Sequence, residues 1–594
     1  MRVSRRSLSF YTSRMAARRG VWLVILLIVF AVSISAAGIL LLFSAVGREP
    51  QVTGNSTLVL RIGGDLNEMD SGGVLAPFLE GRPTVRGVVE MLRKAKADGR
   101  ITSLILKPSG AGALWGKVQE VRDAVADFRR SGKPAIAYLE YGGEQEFYLA
   151  TACDKVFLMP AATLDLTGMA SYELFLRGTL DKIGAYPDAL HIGEYKTASN
   201  TLTEHTFTPA HREMAESLNN DLFEQLVRGI ADGRKKSEAN VKALIDHGPY
   251  LPEDALRAGL IDDLAYEDEL DDKVKLASGK IHYVDMNEYR QVSASSLGLN
   301  RGPKIAVIYA TGLIASGKST YDSTGGQVAG SETLVEYLRK ARADSGVKAI
   351  VLRVDSPGGS AIASDVIWRE VVLTKNQKPL IASMSDVAAS GGYYISMPAH
   401  AIVAEPSTLT GSIGVVLTKF VIDGTLKKLG MNMEGVSQGK FANMYSPVRP
   451  FSPEERARMA ENMQATYDTF VEKAAQGRNT TPERIDAIGQ GRVWTGRQAK
   501  EIGLVDELGG LERAVALAKQ RAKIAQDAEV ELVIYPPKKS FYDLLREPFG
   551  VDRTSTLASL LGFGNPKIMQ ALAAPLQVFR RGEPLALMPN VFVR

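Results

Sequence analysis

The chain has 594 residues, of which 45% are hydrophobic and 23% charged, as in a globular protein, and its length predicts two or more domains. Six of its 71 basic residues lie in residues 1–20, which contain no acidic residue, so the remainder is balanced at 65 basic against 67 acidic residues and lacks the basic excess of a nucleic-acid-binding protein. The single cysteine, Cys153, excludes an internal disulfide framework and a CxxC metal site, and we expect no metal and no cofactor.

An uncharged apolar segment follows the basic N-terminus. No charged residue occurs between Arg19 and Arg48, and residues 21–46 are long enough to cross a hydrocarbon core of about 30 Å. We predict a retained transmembrane anchor, with residues 1–20 in the cytoplasm and the rest of the chain on the outer side of a bacterial inner membrane, in the periplasm. Cleavage after the small residues 33–37 is the alternative.

The sequence repeats itself after the anchor. Leu92–Asp98 (LRKAKAD) recurs as Leu338–Asp344 (LRKARAD), and further matches occur in the same order. We therefore predict two copies of one domain, residues 47–295 and 304–536, joined by a Ser- and Gly-rich linker over residues 291–304. The tail, residues 537–594, lies beyond the repeat, and its apolar patches leave an amphipathic and an oligomer-facing role both open.

Each copy alternates between strand and helix patterns. In the second copy, apolar runs and turn residues predict strands at 348–354, 380–384 and 401–404 and helices at 361–374 and 420–429, with a short helix after Ser390. This alternation predicts an α/β fold with parallel sheets and right-handed crossover helices. The Gly-rich segment 316–331 lacks phosphate-loop spacing and is predicted to be a mobile loop beside a substrate groove.

Ser390 precedes two glycines at the start of a predicted helix, where a nucleophile is often presented. His400 is the only histidine close to it in the sequence, and alignment of the two copies puts Glu144 opposite Ser390. Lys196 of the first copy has a displaced counterpart in the second. If both residues are functional, each copy supplies half of one site.

Four segments together resemble the signal peptide peptidase A family in its long bacterial form with tandem domains. They are Ala389–Tyr393 (ASGGY), Asp355–Gly359 (DSPGG), Leu409–Gly414 (LTGSIG) and Gly193–Ala198 (GEYKTA). The resemblance implies two tandem domains with a fold similar to Clp protease and crotonase. It also implies a membrane-anchored serine endopeptidase that degrades cleaved signal peptides and other apolar peptides, and a homo-oligomer.

The same resemblance implies a role for each site residue. Ser390 matches the nucleophile, Lys196 matches the general base, and Ser412 matches a serine that orients the lysine. For the oxyanion we expect backbone N–H groups from Gly358 or Gly359, with Gly391 as a second donor, because glycine lets the backbone approach closely.

A lysine base needs a lowered pKa. The ordinary value is about 10.4, so at neutral pH only about one lysine in 2,500 is uncharged. Burial beside apolar groups disfavours the ammonium and lowers the pKa. We therefore expect Lys196 to be buried in a dry interface between the two copies.

Three other interpretations compete with this one. A Ser-His-Asp triad would use His400 with Asp355 or Asp386. A crotonase-like acyl-CoA lyase or thioesterase would use the same fold and glycine turn. A catalytically inactive scaffold that binds membrane peptides would need neither Ser390 nor Lys196.

Overall fold

The computed structural model describes residues 50–64, 66–69, 84–270, 272, 282–322, 326–537, 584–588 and 592–593, together with residues 26, 29–30 and 33–34. Within these ranges, no helix is both long enough and apolar enough to span a bilayer. The predicted anchor, residues 21–46, lies outside the described residues except for the five named positions. It stays a prediction, as do the boundaries of the two copies.

The first copy contains a six-stranded sheet in which every neighbouring pair is parallel, in the order β7-β4-β3-β2-β1-β8. Its strands are β1 (Ser56–Gly64), β2 (Ile101–Ala111), β3 (Ala135–Leu139), β4 (Lys155–Leu158), β5 (Ser171–Tyr172), β6 (Tyr186–Ile192), β7 (Asp263–Leu264) and β8 (His282–Asp285). Its helices are α1 (Val85–Ala97), α2 (Trp115–Arg129), α3 (Glu144–Ala150), α4 (Arg177–Ile183), α5 (Asn200–Thr203), α6 (Pro209–Arg234), α7 (Glu238–Ile245), α8 (Pro252–Arg257) and α9 (Met286–Tyr289).

The second copy and the tail supply the remaining elements. The strands are β9 (Lys304–Thr311), β10 (Leu313–Ala315), β11 (Thr320–Asp322), β12 (Gly326–Gly330), β13 (Val347–Ser356), β14 (Gly358–Ser360), β15 (Leu380–Ala389), β16 (Ala401–Ala404), β17 (Leu409–Gly411), β18 (Val415–Val421), β19 (Val493–Thr495), β20 (Glu507–Leu508), β21 (Glu531–Tyr535), β22 (Leu585–Leu587) and β23 (Phe592–Val593). The helices are α10 (Ser331–Ala343), α11 (Ala361–Lys375), α12 (Gly391–Ser396), α13 (Asp423–Lys428), α14 (Pro453–Arg478), α15 (Pro482–Ile488), α16 (Gly496–Glu501) and α17 (Leu511–Arg521).

The second copy repeats the parallel core. Strands β17, β15, β13, β9 and β21 run parallel in that order, and β16 and β20 branch from β15. Strands β13 and β15 are almost wholly buried, as apolar central strands of a parallel sheet require. The predicted α/β architecture is confirmed for both copies.

A third sheet joins the copies, and it is not parallel throughout. Its order is β11-β12-β10-β14-β22-β18-β6, so β6 of the first copy pairs antiparallel with β18 of the second. The segment predicted as a mobile loop contributes the antiparallel pair β11 and β12 to this sheet. The helix predicted at 420–429 begins later, at Asp423, because Val415–Val421 is drawn into strand pairing with β6.

Most other elements of the second copy match their predictions. The strand at 401–404 has the predicted limits, and the helix predicted at 361–374 is one residue longer. The strand predicted at 380–384 continues to Ala389 and ends directly before Ser390. Polar residues such as Ser385 and Asp386 lie within it, which is why an apolar pattern stopped short.

Each copy has its own hydrophobic core, and buried polar contacts connect them. One apolar cluster uses only residues from Val52 to Val292, and the main cluster of the second copy begins at Ala306. Between them, Arg353 is 1% exposed and donates to Glu68 and Glu120 of the first copy. Burial raises the pKa of Glu68, but the Arg353 guanidinium, with smaller contributions from Lys117 and the Ser385 hydroxyl, outweighs it and brings the value down to about 2.

This ion cluster predicts a large loss of stability when its cation is removed. Arg353→Met should lower the free energy of unfolding by about 3–5 kcal/mol, because Glu68 and Glu120 would stay buried without the cation that pairs with both. Arg339→Met is the matched control, since its side chain is 64% exposed and should contribute less than about 1 kcal/mol. Urea unfolding followed by circular dichroism measures both, and equal losses would contradict the assignment.

Candidate active site

Ser390 lies where β15 ends and α12 begins. Its N–H donates to the Gly411 carbonyl at 2.8 Å, and its side chain is completely buried. Its φ of 54° is in the left-handed region, which is costly for a residue other than glycine. The fold therefore holds the Ser390 hydroxyl in a fixed, strained orientation. Glu144, its predicted counterpart, begins α3 at the equivalent place in the first copy.

Lys196 reaches Ser390 from the other copy. It follows β6, whose antiparallel pairing with β18 brings the first copy against the second. The Lys196 Nζ lies 2.8 Å from Ser390 Oγ within the same chain. The family resemblance implied that these two residues act together across the copies, and the structure brings them into direct contact.

Ser412 completes the contacts of the amine. Lys196 Nζ also donates to the Ser412 carbonyl at 2.9 Å and to Ser412 Oγ at 3.0 Å. Ser412 has a φ of 50°, and its own N–H donates to the Arg492 carbonyl at 2.7 Å. The carbonyl and hydroxyl oxygens of Ser412 therefore occupy two of the three hydrogen-bonding positions on the Lys196 nitrogen. The third position faces Ser390 Oγ.

The environment of Lys196 favours the uncharged amine. The side chain is fully buried, and its hydrogen bonds go to hydroxyl and carbonyl oxygens rather than to a carboxylate. Burial holds the pKa of Lys196 well below its ordinary value. A neutral amine accepts a proton, so Lys196 is chemically suited to act as a base toward Ser390.

The glycine turn lies beside the start of α12. Gly358 and Gly359 have φ values of 105° and 149°, and a Cβ added to Gly391 would lie 3.1 Å from the Gly359 nitrogen. The N–H of Gly358 donates to Ser356 Oγ at 3.2 Å, so this donor is directed into its own turn. Gly359 and Gly391 are the better placed pair of amides, and their role as oxyanion donors stays a prediction.

A second contact between the copies supports this turn. Lys117 of α2 donates to Asp355 at 2.7 Å, directly before the Ser356–Gly359 turn. The backbone N–H groups of Leu114 and Lys117 donate to Asp386 at 3.0 and 2.8 Å. Burial raises the pKa of Asp386 to about 6, opposed by the charge on Lys117. The first copy therefore contributes to the support of the site as well as its lysine.

The alternative triad is wrong. His400 Nδ1 accepts a hydrogen bond from the N–H of Leu380, at the start of β15, whereas Ser390 follows the end of that ten-residue strand. At about 3.3 Å per residue the two are separated by roughly 30 Å. Asp355 and Asp386 instead accept hydrogen bonds from Lys117 and from the backbone N–H groups of Leu114 and Lys117 in the first copy.

Two glycines to which the sequence assigned no role, Gly414 and Gly491, form a wall behind Lys196. A Cβ on Gly491 would lie 2.5 Å from the Lys196 nitrogen, and one on Gly414 would lie 3.0 Å from its Cδ. The N–H of Tyr195 donates to the Gln490 carbonyl at 2.7 Å. Gly414 was inside a recognised motif, but nothing in the sequence connects the turn at Gly491 to a lysine in the other copy.

Comparison with known proteins gives two matches to one family. Peptidase family S49 matches residues 127–279 and again residues 373–525. The same family therefore occurs twice, in tandem, and the two matches together cover about half of the chain.

Individual relatives match over most of the length. The chain is 40% identical to "Serine protease SPPA, chloroplastic" of Arabidopsis thaliana over 473 residues, which is 78% of this chain and 70% of the relative. It is 34% identical to "Protease 4" of Salmonella typhi over 556 residues, covering 89% and 87%. A solved structure of ClpP1 from Listeria monocytogenes is similar with a TM-score of 0.21 and 16% identity, over 34% of this chain and 89% of that one.

The wall behind Lys196 yields a prediction with an internal control. Gly491→Ala would force the Lys196 backbone to move, and a displacement of about 1 Å at a catalytic group costs about 100-fold in rate. We expect a loss of that size in the rate at which a fluorophosphonate labels Ser390.

Gly503→Ala separates displacement from strain. Gly503 has a φ of 87°, similar to the 78° of Gly491, but a Cβ there would meet nothing within 4 Å. Both variants place alanine in the left-handed region, and Gly491→Ala should lose more stability than Gly503→Ala because its Cβ also clashes with the Lys196 backbone. Only Gly491→Ala should lose reactivity, and an equal loss in both would show that Lys196 is not positioned by this wall.

Proposed function

The chain belongs to peptidase family S49 and is a serine peptidase, and from that premise we propose that it acts through a Ser390–Lys196 dyad as a membrane-anchored endopeptidase. Its substrates are cleaved signal peptides and other apolar peptides at the outer face of the inner membrane. The observation that carries the proposal is the 2.8 Å contact between a fully buried lysine amine and the Ser390 hydroxyl. Membership of a peptidase family leaves the acyl-CoA lyase and the inactive scaffold without support.

The proposed reaction begins with proton transfer from serine to lysine. Neutral Lys196 has two N–H groups and one lone pair. The two oxygens of Ser412 accept the N–H groups, so the lone pair faces Ser390 and takes the proton of its hydroxyl. The Ser390 oxygen then attacks the carbonyl carbon of the peptide bond.

The tetrahedral intermediate needs hydrogen-bond donors and a proton for its leaving group. The N–H groups of Gly359 and Gly391 stabilise the negative oxygen. Lys196, now an ammonium, gives its added proton to the departing amine, and an acyl-serine remains. A water molecule loses a proton to Lys196 and attacks the ester, and Lys196 then returns that proton to the Ser390 oxygen as the acid leaves, which restores both residues.

The anchor proposal rests on the uncharged segment 21–46 and the six arginines before it. A peptidase attached to the bilayer meets peptides that remain there after their release from precursors. The two copies would then lie in the periplasm, with a fold of the Clp protease and crotonase type.

The internal repeat also supports a homo-oligomer. The two family matches begin at residues 127 and 373, so equivalent positions in the two copies differ by 373 − 127 = 246 residues. Strand β18 (residues 415–421) is therefore equivalent to residues 169–175 of the first copy. Strand β6 (residues 186–192) is equivalent to residues 432–438 of the second copy. Within one chain β18 pairs with β6. Repetition of this pairing between chains would bring residues 169–175 of one chain against residues 432–438 of the next.

Both of these segments are available for pairing. Among the described strands β5 pairs only with β23, so one of its edges is open. Residues 427–443 are exposed throughout, and the exposed apolar side chains include Leu174 at 64% and Met433 at 50%. A head-to-tail contact between different surfaces closes into a ring when its rotation permits.

The dyad predicts loss of activity in single variants. Ser390→Ala and Lys196→Ala should each lower kcat on a short apolar peptide by about 10⁴-fold or more, because the two residues act as one unit. His400→Ala should keep wild-type activity. Fluorophosphonate labelling of Ser390 that persists unchanged in Lys196→Ala would overturn the base assignment.

The dyad also predicts the direction of the pH dependence. The base works only when uncharged, so kcat/KM should rise about tenfold per pH unit below the pKa of Lys196 and then level off. Since burial lowers that pKa, the plateau should begin below the ordinary lysine range. A profile that is flat from about pH 5 to 9 would contradict a lysine base.

The oligomer proposal predicts the effect of charge on the two segments. Leu174→Asp and Met433→Asp should each shift the chain toward the monomer, because a carboxylate would be buried in the contact. Leu251→Asp, at a residue that is 61% exposed elsewhere on the first copy, is the matched control. Sedimentation of the full-length chain in detergent measures the mass, and unchanged mass in both variants would refute this interface.

A further inference from the structure

A short strand from the tail lies inside the sheet that joins the copies. Strand β22 pairs antiparallel with β14 on one side, matching Gly358 with Leu587 and Ser360 with Leu585. On its other side Leu585 pairs with Val416 of β18. The slot between β14 and β18 is therefore filled by residues far beyond the end of the repeat.

The register directs one carbonyl of this strand toward the glycine turn. The N–H of Met588 donates to the Pro357 carbonyl at 2.9 Å, and the N–H of Ala361 donates to the Pro584 carbonyl at 3.3 Å. Hydrogen-bonded pairs alternate along an antiparallel ladder. The pair midway between these two, Gly359 and Ala586, is consequently hydrogen-bonded, and the Gly359 amide faces the Ala586 carbonyl.

The Ala586 carbonyl also lies close to Gly391, the residue that follows Ser390. A Cβ built on Gly358 would be 1.9 Å from the Ala586 oxygen and 2.7 Å from the Gly391 nitrogen. Both distances are measured from the same built Cβ position. The Ala586 oxygen and the Gly391 nitrogen are therefore close to each other. The Ala586 carbonyl therefore lies beside both amides predicted to bind the oxyanion, those of Gly359 and Gly391.

The side chains of the segment show what the slot accepts. Leu585 is 2% exposed, Ala586 is 1% exposed and Met588 is 7% exposed. Met588 belongs to an apolar cluster with Ala389, the residue before Ser390, and with Met214 and Leu218 of α6. The slot thus takes an extended apolar segment with a small residue, Ala586, beside the predicted oxyanion donors.

We propose that the slot between β14 and β18 is the substrate-peptide groove, and that residues 584–588 (PLALM) occupy it as an internal pseudosubstrate with Ala586 at the cleavage position. This inference rests on the proposed peptidase function. Backbone pairing on both sides supplies affinity for an extended peptide, and the buried side chains supply selectivity. A free peptide must displace the strand. Its apparent affinity is therefore the affinity for an open groove multiplied by the fraction of molecules in which the groove is open.

The first experiment measures how accessible Ser390 is. In full-length protein, Leu585→Asp combined with Ala586→Asp should expel the strand, because two carboxylates cannot stay in the apolar slot. Fluorophosphonate labelling of Ser390 should become at least about tenfold faster, as expected when nine-tenths of the grooves are closed in the wild type. Val366→Asp, at a residue that is 48% exposed on α11, adds a charge away from the slot and should leave the rate unchanged.

The outcomes separate the two proposals. Equal labelling of the wild type and the double variant would overturn the pseudosubstrate and leave the peptidase function intact. An absence of labelling in every variant, including the wild type, would overturn the dyad, and the inference that rests on it would then fail as well.

The second experiment does not depend on catalysis. A fluorescent peptide with the sequence PLALM is titrated, by fluorescence anisotropy, into Ser390→Ala protein with the strand intact and with the two aspartates. The peptide should bind about tenfold more tightly once the strand is expelled. Equal affinity for both proteins would show that residues 584–588 do not occupy the peptide-binding groove.

Discussion

The main constraint on this structure is that it must bury the amine of Lys196 without a carboxylate to pair with it, which is energetically unfavourable. Lys196 is fully buried, its partners are oxygens of Ser390 and Ser412, and its pKa is lowered by the loss of water. A group held in this way opposes folding, so the rest of the molecule must keep it in place. The contacts that do so come from both copies of the repeat.

Three kinds of contact hold the copies in register. Pairing between β6 and β18 sets the position of the chain that leads to Lys196. The buried cluster of Arg353 with Glu68 and Glu120 fixes the first copy against β13, and Lys117 holds Asp355 at the entrance to the glycine turn. The site is therefore a property of the interface, because each copy contributes residues that the other lacks.

Features that repeat along the chain, or that adjoin a motif, could be predicted from the sequence. These include the α/β alternation and the strand before Ser390, since apolar periodicity contains that information, whereas the pairing of Ser390 with Lys196 was implied by the resemblance to a known family. Tertiary pairing decided the rest. Val415–Val421 became a strand because β6 lies beside it, Gly491 matters because Lys196 packs against it, and residues 584–588 entered a sheet that no local pattern in the tail indicates.

The separation of the two cores has a consequence for biosynthesis. The first copy can bury its own apolar residues as soon as it has been made, and it then presents a lysine with no serine opposite. Ser390 and Ser412 lie almost 200 residues or more after Lys196, and α2 must already be folded to bind Asp355 and Asp386. A nascent chain consequently has no Lys196–Ser390 contact until its second half has folded onto the first.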